Sequence, residues 1–384
     1  MSKKKESRKV ITVFSIASFL NDLGSDMIYP IWPLFVTSFL GANMAVLGFI
    51  DGLGDALVSI SQAVSGYVSD RKRKRKIFIW TGYLFGSVSR VGYGISTAWQ
   101  HLIPFRIFDR VGKIRGAPRD AIIADVSTRK NRGKNFGLLR TMDNLGAVTG
   151  IIITILFFNL LGYRNLFLIA AIPSLIGASL VILLIKERKT KGIYKGLSLR
   201  DLDNNFKLFL VLSSIFALGS FSYSFLLVYA KEFGFATTFI PVLYLLFTVV
   251  ASIMSLPFGR LADRFNRKII LILSYLLFGL MSLGFVILKS YFWVIFLFVL
   301  YGLHKASVEP VQRTLVSELS PKKYRASTLG TFQMVVGLCA LPASLIAGFL
   351  WMSFSKFAPF YFSLGLTVIS TMLMFFVKEK QTKK

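Results

Sequence analysis

Cysteine is nearly absent. The 384 residues hold one, Cys339, set inside an apolar run. No intrachain disulfide can form, and a thiolate metal centre is not expected. No glycine-rich phosphate loop, HExxH helix or cysteine cluster occurs, so the sequence carries no enzyme constellation and calls for no cofactor. Without a nucleotide-binding motif, any transport would be driven by an ion gradient or by the solute's own gradient. A cleavable signal is not expected: the apolar run after basic Met1–Lys9 contains Asn21, Asp22 and Asp26, and no small-residue cleavage pattern follows. Acidic residues are scarce as well, 18 against 46 Lys and Arg, a net charge of +28. Such a balance suggests nucleic acid when it forms one patch or stripe. Here the basic residues fall in short segments between apolar runs, the charge distribution of a membrane protein, and no nucleic-acid partner is expected.

Apolar residues are plentiful: 54% of the chain is hydrophobic and the mean hydropathy is +0.63. A soluble domain cannot hide that much apolar surface, whereas a lipid bilayer can. A helix needs ~20 apolar residues to cross the hydrocarbon core. Twelve such spans fit: 10–36, 44–68, 77–96, 101–125, 134–158, 164–185, 207–230, 237–258, 268–288, 292–317, 326–350 and 357–377. Counted with the first residue of the span that follows, the termini and the even-to-odd connections hold 33 basic residues, against four (Arg164, Lys231, Lys289, Lys356) on the opposite side. The positive-inside rule then puts both termini in the cytoplasm. The polar stretch 186–206 divides the chain into six-span halves, 1–185 and 207–384, and reads as a solvated linker.

The halves repeat. Gly66-Tyr67-Val68-Ser69-Asp70-Arg71, at the end of span 2, recurs 193 residues later as Gly259-Arg260-Leu261-Ala262-Asp263-Arg264. At the same offset Phe85-Gly86 matches Phe278-Gly279, Asp125 matches Glu318, Arg132 matches Arg325, and Gly137 matches Gly330. One offset across four helices and two loops indicates parallel structural repeats.

On these loops the chain resembles the major facilitator superfamily over nearly its whole length. Its G-x-x-x-D-R-x-G-R-[RK] motif between spans 2 and 3, with a partial copy between spans 8 and 9, is matched except at the motif glycine, replaced by Arg73 and Asn266. A left-handed turn there would suit Asn266 better than Arg73. Asp109-Arg110-Val111-Gly112-Lys113 and Ala117-Pro118-Arg119-Asp120-Ala121 resemble a little-characterised prokaryotic branch. The resemblance implies an all-α fold of twelve transmembrane helices in two pseudo-symmetric six-helix bundles, in the cytoplasmic membrane. It implies a cytoplasmic gate at Gly66, Asp70, Arg71, Lys74 and Arg75 and at Gly259, Asp263, Arg264 and Arg267. Asp125 is a candidate partner of Lys74 or Arg75. The bland alternative is a topogenic charge block.

An ionisable side chain at mid-bilayer costs ~2.5–3.5 kcal/mol on insertion scales, so each should face a partner or a cavity. The N-terminal spans hold Asp22, Asp26, Asp51, Asp55, Asp109, Asp120, Asp125 and Asp143 against Arg90, Arg106, Arg110, Lys113, Arg115, Arg119 and Arg140. Helical spacing puts Asp51, Asp55, Ser59, Gln62 and Gly66 within one ~80° arc, and Arg106, Arg110, Lys113, Ala117 and Asp120 within another. Arg115 and Arg119 fall on the opposite side of span 4, which requires partners for that face or unwinding near Gly116 and Pro118. One reading is a cavity in which a carboxylate exchanges protons while cations hold an anionic group of the substrate. The other is a neutralised salt-bridge network. In span 5, Gly146-x-x-x-Gly150 permits close helix contact. It also faintly resembles the antiporter motif of drug-exporting members, with Ala147 where that motif has proline. In span 10, His304 is a proton-relay candidate or a packed histidine, and Lys305, Glu309 and Arg313 form a helical charge ladder.

The expected function is proton-coupled secondary transport of a small molecule by a monomer in the lipid bilayer, export favoured over uptake. The rivals are a uniporter or anion exchanger on Arg106, Arg110 and Lys113, and a non-transporting sensor or assembly partner.

Overall fold

The computed structural model describes residues 3–72, 74–127, 132–187, 203–320 and 325–378. Arg73 and most of the central linker lie outside the described residues. So do the side chains of Asp70, Arg71, Asp263 and Glu309, and the surroundings of Gly66. Among the described residues there are helices and turns but no strand. Lipid offers no partner to a backbone amide, so each segment must satisfy its own hydrogen bonds.

The first apolar segment is α1 (Lys3–Asp26), a turn, α2 (Trp32–Leu34) and a π-helical turn, Phe35–Phe39. The expectation of one helix over 10–36 is corrected: the regular α-helix ends at Asp26 and the chain continues through hydrogen-bonded turns to Ile31. The next elements are α3 (Met44–Lys72) and α4 (Lys76–Ile95). The fourth segment is α5 (Leu102–Val111), a 3-10 turn over Gly112–Arg115 and α6 (Gly116–Val126). The departure expected near Gly116 and Pro118 thus falls one turn earlier, at Gly112. There α4 presses so close that a Cβ on Gly112 would stand 2.8 Å from the Gly82 carbonyl oxygen.

Helix α7 (Arg132–Leu184) contains a reversal at Gly162, whose φ of 65° needs glycine. It therefore supplies the fifth and sixth segments. The seventh is α8 (Asn204–Gly219) and α9 (Tyr223–Phe233), parted at Ser220–Ser222. Then follow α10 (Ile240–Arg264), α11 (Arg267–Ile287) and α12 (Tyr291–Leu319). The eleventh segment is α13 (Arg325–Leu338) and α14 (Ala340–Ser353), parted at Cys339, and the twelfth is α15 (Ala358–Met374). Seven described helical segments are long and apolar enough to span a bilayer on length and hydropathy alone. The others are cut by turns or carry charges such as Asp22, Arg90 and Arg110.

Two compact units form. One comprises 1–42 and 57–194, the other 43–56 and 195–384. Helix α3 is continuous through the division at Ala56 and Leu57. In the first unit Phe14, Ala17, Ile79, Tyr83, Ile123, Leu139 and Val181 make an apolar core where α1, α4, α6 and α7 meet.

Candidate functional site

The turn that ends α1 and the charged face of α5 build one centre together. Tyr29 comes from that turn and Trp32 from the start of α2, which follows it. The Arg106 guanidinium lies 4.5 Å from the Trp32 ring centroid. The Arg110 guanidinium lies 5.2 Å from that of Tyr29, and its Nη1 donates to the Tyr29 hydroxyl at 3.4 Å. A ring face holds a guanidinium flat without neutralising it. Asp109, buried beside them, has its Oδ2 3.5 Å from Arg110 Nε, and Arg106 and Lys113 also act on its charge. Lys113 is half-buried. Of the predicted arc, Arg110 thus pairs with the Asp109 carboxylate, with Arg106 and Lys113 within electrostatic reach of it.

Arg90, on α4, is 1% exposed. Its Nη1 donates to Ala170 O at 3.0 Å and to Ser174 Oγ. Its Nη2 donates to Asn21 O at 3.1 Å and Ser25 Oγ at 2.8 Å. These acceptors come from α1 and α7 and are all uncharged. Arg90 therefore ties three helices together rather than facing a substrate.

A third group lies at α6 and α7. Arg119 Nε donates to Asp120 Oδ1 at 3.1 Å and its Nη1 to Ser18 Oγ. That Nη1 stands 3.7 Å from Asp143 Oδ1. Arg140 Nη1 meets Asp143 Oδ2 at 3.3 Å. Arg115, on the same opposite side of the segment, donates to Gly112 O at 2.8 Å and lies over the Tyr83 ring. Partners on both faces are what make this doubly charged segment tenable. Asp22, half-buried on α1, accepts from Asn21 Nδ2 at 2.8 Å. No described cation lies within 4 Å of it, although its charge is felt at both Arg119 and Asp143. Asp26 is half-buried.

In the second unit Asp51 is 1% exposed. Its Oδ2 accepts from Ser222 Oγ at 2.9 Å and from Ser224 Oγ. Asp55, one turn on, is exposed. His304 is 1% exposed, its Nδ1 2.8 Å from Ser274 O. Rings of Phe278 at 4.9 Å and Phe216 at 5.6 Å flank it. This is the packed alternative for His304. Exposed Lys305 sits 5.4 Å from the Tyr301 ring centroid. Among the described residues no group of three His, Cys, Asp or Glu could hold a metal.

At the repeated loops the two halves make corresponding contacts. Arg75 Nη1 meets Asp125 Oδ2 at 2.7 Å, and Arg267 Nη2 meets Glu318 Oε1 at 3.0 Å. Lys76 Nζ donates to Ile182 O at 2.7 Å, and Lys268 Nζ to Phe375 O at 2.6 Å. The acceptors keep the 193-residue offset, but the donors are 192 apart. The first loop is therefore one residue longer than the second, which corrects a single offset for the whole motif. The left-handed turn expected at Asn266 is also absent: its φ of −176° is extended, open to any residue. Lys74 is exposed in the loop between α3 and α4. Gly259 lies in α10 with open space around it, and Arg264 ends that helix over the Phe265 ring.

Several contributors were not legible in advance. Glu187 accepts from the backbone N–H of Arg75 at 2.8 Å and of Lys76 at 3.1 Å. It caps α4 from 111 residues away, a pairing no local pattern signals. Ser18, Asn21, Ser174, Ser222 and Ser224 look like ordinary small polar residues in apolar runs. Only their being polar at helix-crossing positions could have flagged them.

The family model described as Major Facilitator Superfamily matches residues 14–200 and 208–384. An uncharacterized MFS-type transporter of Methanocaldococcus jannaschii is 38% identical over 97% of this chain and 96% of its own. Multidrug resistance protein 1 of Bacillus subtilis is 28% identical over 67% of each chain. A crystal structure of the nucleoside transporter NupG, 13% identical, superposes with a TM-score of 0.81 over 96% of this chain and 100% of its own.

Proposed function

The chain belongs to the major facilitator superfamily, and on that premise we propose that it is a proton-coupled secondary transporter in the cytoplasmic membrane. It moves a small organic solute by alternating access, outward in preference to inward, with both termini in the cytoplasm. Membership makes it a membrane-embedded transporter of a small molecule; the coupling ion, direction and cargo are the proposal.

The observation that carries proton coupling is the placement of Asp22. This half-buried carboxylate has an amide partner but no cation within 4 Å among the described residues. Asp143, within its electrostatic reach, shares Arg119 and Arg140 with Asp120. Asp22 also acts on Arg90, whose own hydrogen bonds go to uncharged acceptors, so Asp22 is a carboxylate held outside the ion pairs of this group. A proton can be accepted and released there while the helices stay paired. Carboxylates locked in one-to-one ion pairs would have to break a pair to do the same. Export is supported by the glycine pair of α7 and by the multidrug-resistance name of a relative over 67% of the chain.

The direct test uses protein in liposomes loaded with a pH-sensitive dye, challenged with a panel of lipophilic cations and small organic acids. Some solute should move protons across the membrane with it. Asp22→Asn should lose gradient-driven accumulation tenfold or more yet retain solute exchange. The proposal is wrong if a proton ionophore leaves accumulation unchanged, or if the Asn variants of Asp22, Asp26 and Asp55 all transport like the parent.

A second reading has its own support. Arg106, Arg110 and Lys113 around Asp109 form a centre with more cation than anion, suited to a carboxylate or phosphate on the solute. Anion counterflow that survives the ionophore would favour an exchanger or uniporter built on these residues.

A further inference from the structure

Where the fourth segment passes α4, its 3-10 turn over Gly112–Arg115 presses on that helix at Gly82. A 3-10 turn repeats every three residues rather than every 3.6, so it does not follow an α-helical surface for long. Beside the contact the two elements part and leave a groove of about 390 Å³, lined by Lys74, Ile77, Phe78, Thr81, Phe85 and Ile114. Ile77, Phe78, Thr81 and Phe85 follow one another at helical spacing and form one wall. Ile114 forms the other. From Ile77 to Phe85 the groove runs about 12 Å along α4, at 1.5 Å per residue. That is most of the ~15 Å depth of one leaflet, half of the hydrocarbon core. The Phe85 and Phe108 rings, 5.6 Å apart, stand at its inner end.

The groove is apolar except at its mouth. Thr81 Oγ1 donates back to Ile77 O at 2.6 Å, so its hydroxyl asks for no further partner. Ile77 is 45% and Phe108 43% exposed, so the groove opens on an apolar surface that hydrocarbon, not water, covers. Lys74, at the loop end, is the one charge among the lining residues. The charges next to it are engaged elsewhere. Arg75 holds Asp125, Lys76 Nζ holds Ile182 O, and Glu187 accepts from the backbone N–H of both residues. An apolar slot with a single cation at its rim fits an amphiphile with an anionic head and an apolar chain. The polar stretches of the chain itself do not fit. Residues 188–202 bring Arg188, Lys189, Lys191, Lys195 and Arg200 against Asp201, and 379–384 bring Lys380, Lys383 and Lys384 against Glu379. Both would meet Lys74 with like charge.

We propose that this groove binds one anionic phospholipid from the leaflet that faces the loop between α3 and α4. One of its chains lies along Ile77, Thr81 and Phe85, and the Lys74 ammonium holds the headgroup phosphate. A lysine suits that place because its stem rests on apolar surface while its charge reaches the headgroup level. In the orientation proposed above, that leaflet is the cytoplasmic one, which carries the anionic lipids. The seated lipid joins the start of α4 to the 3-10 turn that bears Lys113. The anionic content of the membrane thus acts on the segment that carries the charged centre. None of this depends on which solute is moved or on how its movement is driven.

The experiment is photocrosslinking of the purified full chain in phosphatidylcholine bilayers that carry a trace of phosphatidylglycerol with a diazirine at the end of one chain. A matched phosphatidylcholine probe is the reference. Both leaflets hold the same lipids, so orientation does not enter. Labelled residues are located by mass spectrometry. One cation at an anionic surface adds about fivefold in binding, so the phosphatidylglycerol probe should label Thr81, Phe85 or Ile114 about fivefold more than the reference. Unlabelled phosphatidylglycerol should compete, and glycerol 3-phosphate should not. Lys74→Gln should abolish the headgroup preference and leave labelling by the reference probe as it was. Lys186→Gln removes the same charge from an exposed residue outside the groove and should keep the preference. Thr81→Trp fills the groove and should lower labelling by both probes. Lys74 is exposed, so Lys74→Gln carries the test if Thr81→Trp does not fold. The lipid site is overturned if the two probes label the parent equally, or if the preference survives Lys74→Gln. It is overturned also if Lys186→Gln removes as much of the preference, since the attraction is then diffuse. Suppression by glycerol 3-phosphate overturns it in favour of a soluble phosphate ligand. A folded Thr81→Trp that labels like the parent puts the chain elsewhere and overturns it as well.

Discussion

Replacing Gly146 with alanine tests whether the α7 glycines serve packing. A Cβ at position 146 would stand 3.1 Å from Leu23 N and 3.0 Å from Phe19 C, and nearer still to Phe19 O. At position 150 it would meet Met27 N at 3.0 Å and Leu23 O more closely. The obstacle is backbone, which has no rotamer to yield, so α1 must recede on the order of 1 Å to restore contacts near 3.5 Å. A gap of that size forfeits a quarter to a half of each ~0.1–0.2 kcal/mol contact. Spread over several tens of atom pairs along the helix, the loss is ~1–3 kcal/mol, in the range measured for overpacking. Gly146→Ala with Gly150→Ala should cost less than the sum, since one displacement relieves both clashes. The control is Gly137→Ala, further up the same helix, where nothing lies within 4 Å. It should be neutral or gain up to ~1 kcal/mol. Thermal unfolding of the purified protein in detergent reads all of them. Gly146→Ala as stable as the parent would refute the packing account and return the motif to a direct role in exchange.

The repeated ion pairs should differ in strength. Asp125 is 54% exposed and Glu318 only 25%, so Asp125→Asn should cost ~0.2–1 kcal/mol and respond to salt, and Glu318→Gln should cost more and respond less; equal effects in unfolding scans at low and high salt would contradict this. Glu187→Gln should cost ~1 kcal/mol by weakening the cap on α4, seen as faster amide exchange at Lys76 and Ile77 with the rest of α4 unchanged. His304→Gln should lower stability by ~1–2 kcal/mol through lost ring packing and the Ser274 bond, yet leave the pH profile of transport where it is; a shifted profile would restore His304 as a relay.

The fold was legible because lipid leaves few choices. Twelve apolar lengths, the basic loops between them and the repeated Gly-x-x-x-Asp-Arg segment fix a helical bundle almost without tertiary information. Where the chain broke was less legible. The turn after Asp26 and the break at Ser220–Ser222 lie inside apolar runs whose composition hardly changes. At the site, one helical arc decides that Arg106 and Arg110 share a side, and the structure sets them on the Trp32 and Tyr29 rings. Spacing could not separate Arg90, which is satisfied by carbonyls and hydroxyls of two other helices, from the arginines that meet carboxylates. Nor could it find Ser222 and Ser224 for Asp51, 171 and 173 residues away. Polar partners across a bundle are chosen by helix rotation and depth, which a one-dimensional pattern does not record.

The Arg90 network also constrains how the protein is made. Its acceptors Asn21 and Ser25 are already synthesised when α4 enters the membrane, but Ala170 and Ser174 lie 80 and 84 residues downstream. At ~5–20 residues per second, that interval lasts about 4–16 s. Until then a guanidinium waits in the bilayer with half of its ligands missing, at a cost of ~2.5–3.5 kcal/mol when alone at the centre. Nascent chains arrested before residue 170 should therefore hold α4 displaced toward the interface, and chains that include Ser174 should draw it in. Biogenesis of the N-terminal half is, on this account, completed backwards: its sixth segment finishes the insertion of its third.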